Sequence, residues 1–196
     1  MKLLTVTGPV AVDDLGLIDG HGHAWIQPPE GTPPESRLEL NDYAAIAEEL
    51  RDFRAAGRAA VIDCQPGGCG RDARMLVRLA EATGVYITAT TGFHRQAYYP
   101  PGHWLWSASA EVAADYFVEE VTGGTRETGG TAPATTIKVG YEGRIDGQTR
   151  TLMEAAAEAA RRTGVALLFH TERGAGAEAL LPFFGQRGVP ADQLYL

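Results

Sequence analysis

Residues 135–170, TTIKVGYEGRIDGQTRTLMEAAAEAARRTGVALLFH, decide the fold. Thr135–Val139 is a short β-branched run of strand type. Thr151–Arg162 is rich in Ala and straight-chain residues, the composition of a helix, and Gly164 can end it. Val165–His170 is a second apolar run of strand length. Strand, helix and strand in this order mean a parallel pair with the helix covering one face, because parallel strands need a long crossover.

The same alternation continues in both directions. Leu15–Ile18 is an apolar run ending in Asp-Gly. Within Leu40–Ala56, Tyr43, Ile46, Ala47, Leu50 and Phe53 share one helical face, with Asn41 or Asp42 to cap the start and Gly57 to end it. Ala59–Cys64 reads as a strand, Arg71–Ala82 as a helix closed by Gly84, Val85–Thr90 as a strand and Ala110–Val121 as a helix. Beyond His170, Glu178–Phe184 is helical and Gln193–Leu196 opens one more strand. Six strands with no linker between them predict one α/β domain over residues 1–196. Helix–strand alternation suits an open doubly wound sheet and a barrel alike. Against a nucleotide-binding sheet, no G-x-G-x-x-G follows a strand and no Gly-rich loop ends in Gly-Lys-Ser/Thr.

The net charge of −8 argues against non-specific binding to nucleic acid or an anionic membrane, both polyanions. No apolar stretch approaches the ~20 residues of a membrane span. The opening residues meet Gly-Pro too early for a secretory signal. Cys64 and Cys69, the only cysteines, read as reduced thiols of a cytoplasmic protein.

Three features fall at the carboxyl ends of predicted strands, the end at which parallel α/β folds bind ligands: His21 and His23 in DGHGH, Lys138 in TIKVG, and His170 in FHTERG. In extended chain, His-x-His puts both imidazoles on one face, able to hold one metal ion. The plainer reading is a polar turn. His170 taken singly is a satisfied strand-end histidine as readily as a ligand. Lys138 lies between Ile137 and Val139, where a charged ammonium is costly. Burial lowers a lysine pKa, and the neutral amine reacts with carbon dioxide to give an anionic carbamate that can bridge two cations. The plainer reading is a lysine whose head snorkels to the strand end. Their order along the strands favours the joint reading.

With those residues in view, the sequence resembles the phosphotriesterase-like family of the amidohydrolase superfamily. The resemblance rests on the leader TVTGPVAVDDLG, on GCGRDARMLVRLAEATGVYITATTGFH, on TTIKVGYEG and on LLFHTERG. It implies a (β/α)8 TIM barrel, here incomplete with about six of eight units, holding two divalent ions, usually zinc. His21 and His23 would bind the more buried metal, carboxylated Lys138 would bridge the pair, and His170 would bind the more exposed one. A hydroxide shared by the metals would attack an electrophilic carbonyl or phosphorus centre. The family commonly has His-Glu-His where this chain has His-Gly-His. Its sixth-strand histidine and eighth-strand aspartate, the general base, are expected beyond Leu196. The chain as given is accordingly expected to be a fragment, poorly stable and with little hydrolytic activity alone.

The aromatic loop FHRQAYYPPGHWLWS (residues 93–107) follows the third predicted strand. Phe93, His94, Tyr98 and Trp104 are expected to form an apolar wall with a polar handle, suited to a lactone or aryl ester. The plainer reading is that they pack the loop onto the barrel. His103 is expected at the surface and Cys64 as a small buried strand-end residue. Glu172 and Arg173 are expected to orient His170, touch substrate or cap a helix. The first functional expectation is a binuclear metal hydrolase of a small-molecule lactone or similar ester. A phosphotriester or amide hydrolase on the same metals is the second, and a non-catalytic binding or oligomer-forming module the third. The resemblance also implies a homodimer.

Overall fold

The computed structural model describes residues 2–195. An antiparallel hairpin of β1 (Lys2–Thr5) and β2 (Gly8–Ala11) comes first, followed by a six-stranded sheet. That sheet consists of β3 (Leu17–Gly22), β4 (Arg58–Asp63), β5 (Tyr86–Phe93), β6 (Ala134–Tyr141), β7 (Ala166–Thr171) and β8 (Leu194–Tyr195). Every neighbouring pair is parallel and the spatial order equals the chain order. This is the winding of a barrel wall: a doubly wound sheet would reverse its order partway. The sheet curls, so that a Cβ built on Gly20 of β3 would lie 2.7 Å from the Tyr195 hydroxyl of β8.

The helices α1 (Tyr43–Ala55), α2 (Ala73–Thr83), α3 (Ala110–Thr122), α4 (Gly147–Thr163) and α5 (Leu180–Gly185) lie in the crossovers. Their ends follow from capping. Asp42 accepts from the Ala44 and Ala45 amides, Asp72 from Arg74 and Ser109 from Val112, and Gly84 and Gly164 close α2 and α4 in the left-handed conformation. The core fills the space between sheet and helices in two contiguous parts. One joins β5–β7 to α3, α4 and α5, and the other joins β4 and β5 to α1 and α2.

Strand alternation then fixes the inner face. Ile137, Val139 and Tyr141 of β6 and Leu167 and Phe169 of β7 pack in the helix-side core. Thr136, Lys138, Gly140, Leu168 and His170 must therefore face the inside of the curl. Among the described residues no helix is long and apolar enough to cross a membrane.

The first barrel strand runs through Leu17–Gly22 instead of Leu15–Ile18, which puts His21 at its carboxyl end, while Leu15 is buried before it. The leader residues form the β1–β2 hairpin. The last predicted strand is observed over Leu194–Tyr195, and Leu196 lies outside the described residues.

Candidate active site

Lys138 occupies the centre of the inner face and is wholly buried. Its strand neighbours permit this. In the parallel register Lys138 stands beside Gly92 of β5 and Leu168 of β7. A Cβ on Gly92 would overlap the Lys138 carbonyl oxygen and lie 2.7 Å from its amide nitrogen. Gly92 also has φ +98°, a region that L side chains avoid. One rung further, Gly140 pairs with His170, and a Cβ on Gly140 would lie 2.6 Å from the His94 carbonyl carbon. The missing side chain lets the His94–Arg95 backbone lie against β6, and the rings of His94, after β5, and His170, at the end of β7, have centroids 4.6 Å apart.

The Lys138 Nζ lies 3.0 Å from His21 Nε2. The rings of His21 and His23 are 6.5 Å apart at 68°. Burial, then the Lys138 charge, depress the pKa of four imidazoles: His21, His170, His94 and His23, the last to about 4. Lys138 itself is lowered, by burial first. The cluster therefore presents neutral nitrogen donors at neutral pH.

Asp63, at the end of β4, holds the His-x-His segment in place. One carboxylate oxygen accepts from the Ala24 amide at 2.7 Å and the other from the Gln65 amide at 3.0 Å. Its own pKa is raised to about 6, by burial. Deeper still, Arg71 donates to both oxygens of Glu120, to Glu127 and to the Thr90 carbonyl, tying the loop before α2 to β5 and α3. The Gly-Arg-Asp stretch marks Arg71 in the sequence, but nothing marks Asp63 or the carboxylates that Arg71 meets. Those carboxylates lie 49 and 56 residues away, so no local motif announces them.

A cavity opens beside the cluster, lined by His23, Ile26, Leu38, Gln65, His94 and Tyr98 among others. The structure thus brings His21, His23, Lys138, His170, His94 and Tyr98 to one place. It does not bring Phe93 or Trp104 there. Phe93 is fully buried in the helix-side core with its edge on Trp106, and Trp104 packs on Tyr116 of α3. Adjacent strand residues point to opposite faces, so Phe93 and His94 cannot share a wall. His103 is half-buried, its ring 4.8 Å from that of Tyr99. Cys64 is buried just beyond β4.

Among the described residues, no three His, Cys, Asp or Glu side chains by themselves form a group able to hold a metal ion. The donor set nevertheless fits divalent cations once Lys138 is counted. Among the described residues, this wholly buried amine has only an imidazole nitrogen as its hydrogen-bond partner, and its charge opposes protonation of the histidines around it. A carbamate on Lys138 with cations beside it would reverse that charge conflict.

A parallel barrel wall with histidines and a buried lysine at its strand ends defines an architecture in which ligands are held at the carboxyl rim. The chain belongs to the phosphotriesterase family, whose model matches residues 1–190. It is 33% identical to the N-acetyltaurine hydrolase of Rattus norvegicus over 90% of its own length and 58% of that protein's. It is 29% identical to the phosphotriesterase homology protein of Mycobacterium tuberculosis (strain H37Rv), over 88% of its length and 55% of the relative's. Its fold matches the crystal structure of a lactonase from Listeria monocytogenes with a TM-score of 0.89 at 21% identity, covering 99% of this chain and 64% of that one. The chain thus spans little more than half the length of these curated relatives.

Proposed function

We propose that the protein is a metal-dependent hydrolase that opens a lactone or similar neutral ester, with His21, His23, Lys138 and His170 holding two divalent cations, zinc in the usual case. The observation that carries this reading is the wholly buried Lys138 amine among depressed-pKa imidazoles at the strand ends. The cations would supply Lewis acidity, polarising the substrate oxygen and lowering the pKa of water to about 7.

The chain's own groups do the rest. As a neutral amine, Lys138 can bond through its Nζ lone pair to the carbon of carbon dioxide, releasing one N–H proton to water and leaving an anionic carbamate. His94 Nδ1 accepts from the Arg95 amide at 2.8 Å, so the neutral ring carries its proton on Nε2. Burial, the largest cause of its lowered pKa, keeps that ring neutral, which makes it a fixed donor to a substrate oxygen rather than a proton shuttle. Ile26 and Leu38 give the cavity an apolar wall and Gln65 a neutral polar group, which favours an uncharged substrate.

A second reading, an amide hydrolase on the same groups, is favoured by the identity to the N-acetyltaurine hydrolase. A panel of lactones, aryl esters, phosphotriesters and N-acetyltaurine separates the two. The protein is further proposed to act in the cytoplasm, where Cys64 and Cys69 stay reduced, and to form a homodimer.

Lys138→Ala is the direct test. Loss of an outer-shell partner at a metal site costs about 10–100-fold, so loss of the bridge should cost more, in both zinc content and lactone hydrolysis. Full activity in Lys138→Ala would refute the assignment.

A further inference from the structure

We propose that Arg95 is a positioning residue that acts on His170 through Glu172, fixing which ring nitrogen of His170 carries the proton. The inference rests on the reading of His170 as a ligand, and adds two residues to it.

The Arg95 guanidinium lies over the strand ends. It donates from Nε to Glu142 Oε1 at 2.7 Å and from Nη1 to Glu172 Oε2 at 2.9 Å. Arg95 follows β5, Glu142 follows β6 and Glu172 follows β7. One side chain therefore spans the loops of three adjacent strands. The same Glu172 Oε2 stands 3.7 Å from His170 Nε2, outside hydrogen-bond distance. That nitrogen is buried without a partner, and no other imidazole nitrogen among the described residues is in this state. His170 Nδ1 is not among the buried unpaired atoms, which leaves it as the nitrogen available to a ligand. A buried N–H beside a carboxylate closes onto it, and donation from Nε2 leaves the lone pair on Nδ1.

The backbone after His170 supports the same assignment. Arg173 has φ 55° and is the only non-glycine residue with positive φ among those described. This sterically disfavoured conformation persists where surrounding contacts over-determine it. Here the Glu172 amide donates to the Tyr141 carbonyl at 3.3 Å and the Ala175 amide to the Glu172 carbonyl at 3.0 Å, closing the turn. Glu172 is thereby held at the rim beside Arg95. Of the three sequence expectations for Glu172 and Arg173 (orienting His170, touching substrate or capping a helix), the proposal takes up the first, for Glu172.

Solvent-screened ion pairs contribute little to stability, and here both carboxylates are exposed while Arg95 is half-buried, so a purely structural role predicts only a small effect of removing either pair. A positioning role predicts a specific one. The test compares the full chain with Arg95→Met, Glu172→Gln, the double variant and Glu142→Gln, reading the His170 tautomer by nitrogen-detected NMR without metal and the zinc affinity by chelator competition. The wild type should show His170 protonated on Nε2. Arg95→Met and Glu172→Gln should each populate the Nδ1–H form and weaken zinc binding about 10–100-fold. The double variant should be no weaker than either single one, Arg95→Lys should recover part of the loss, and Glu142→Gln should change nothing. An unchanged tautomer in both Arg95→Met and Glu172→Gln would overturn the proposal. So would an equal loss in Glu142→Gln, which would make Arg95 a general loop clamp. If the wild type binds no zinc, the hydrolase reading fails, while the tautomer still decides the Arg95–Glu172–His170 relay.

Discussion

Lys138 can be buried because the residue beside it in the sheet has no side chain. Gly92 sits at positive φ with no room for a Cβ against the Lys138 backbone. Gly92→Ala should therefore cost about 2–3 kcal/mol, from overpacking and backbone strain together, measured by denaturant unfolding; a change below about 0.5 kcal/mol would mean that β5 and β6 are not so closely apposed. The thiols make a second residue-scale case. Burial pushes Cys64 and Cys69 up to about 12. Thiolate is the reactive form, so neither should react with a thiol reagent at pH 8 in the folded protein, and both should react once it unfolds. Rapid modification of the native protein would contradict their placement. At this scale Lys138 was legible from sequence, since a lysine between Ile137 and Val139 has few inexpensive places to go. Adjacency to His94 in the sequence does not place Phe93 on the same wall, because successive strand residues face opposite ways. The parity of β5 assigns Phe93 to the same helix-side face as Ile87 and Ala89, opposite to His94.

At the scale of elements, sequence signals worked where they were local. Asp42, Gly84 and Gly164 mark helix ends as expected, because a cap acts within one turn. The extension of β3 through His21 was not legible. A register shift between Asp19 and Gly22 interrupts the pairing with β4, and Gly20 and Gly22 remove the side chains that strand recognition needs. Nor was the Arg71 network, whose members come from a loop, α3 and a turn after it. This network holds the elements in register: Arg71 and Glu120 are both buried, with Nη2 to Oε1 at 2.5 Å. Removing one partner strands the other charge away from water. Arg71→Met should thus destabilise the fold by about 3–5 kcal/mol, seen as a lowered denaturation midpoint; a loss no larger than that of an exposed pair would show that Glu120 finds water or another partner.

Across the whole molecule, the site is an assembly of strand ends rather than a local motif. His21 and His23 come with edge strand β3, Lys138 with β6 and His170 with β7, and the curl of a six-stranded parallel sheet brings them together. Because cations bound at this junction would cross-link strands in the folded state and not in the unfolded chain, zinc should raise the melting temperature in a concentration-dependent way. Lys138→Ala should lose that response. The most direct measurement is a crystal structure of the protein loaded with zinc in the presence of bicarbonate, using anomalous scattering to locate the metal. The expected result is zinc bound by His21, His23 and His170, with additional density on Lys138 Nζ reaching toward it. Zinc elsewhere, with Lys138 unmodified and still 3.0 Å from His21 Nε2, would contradict it.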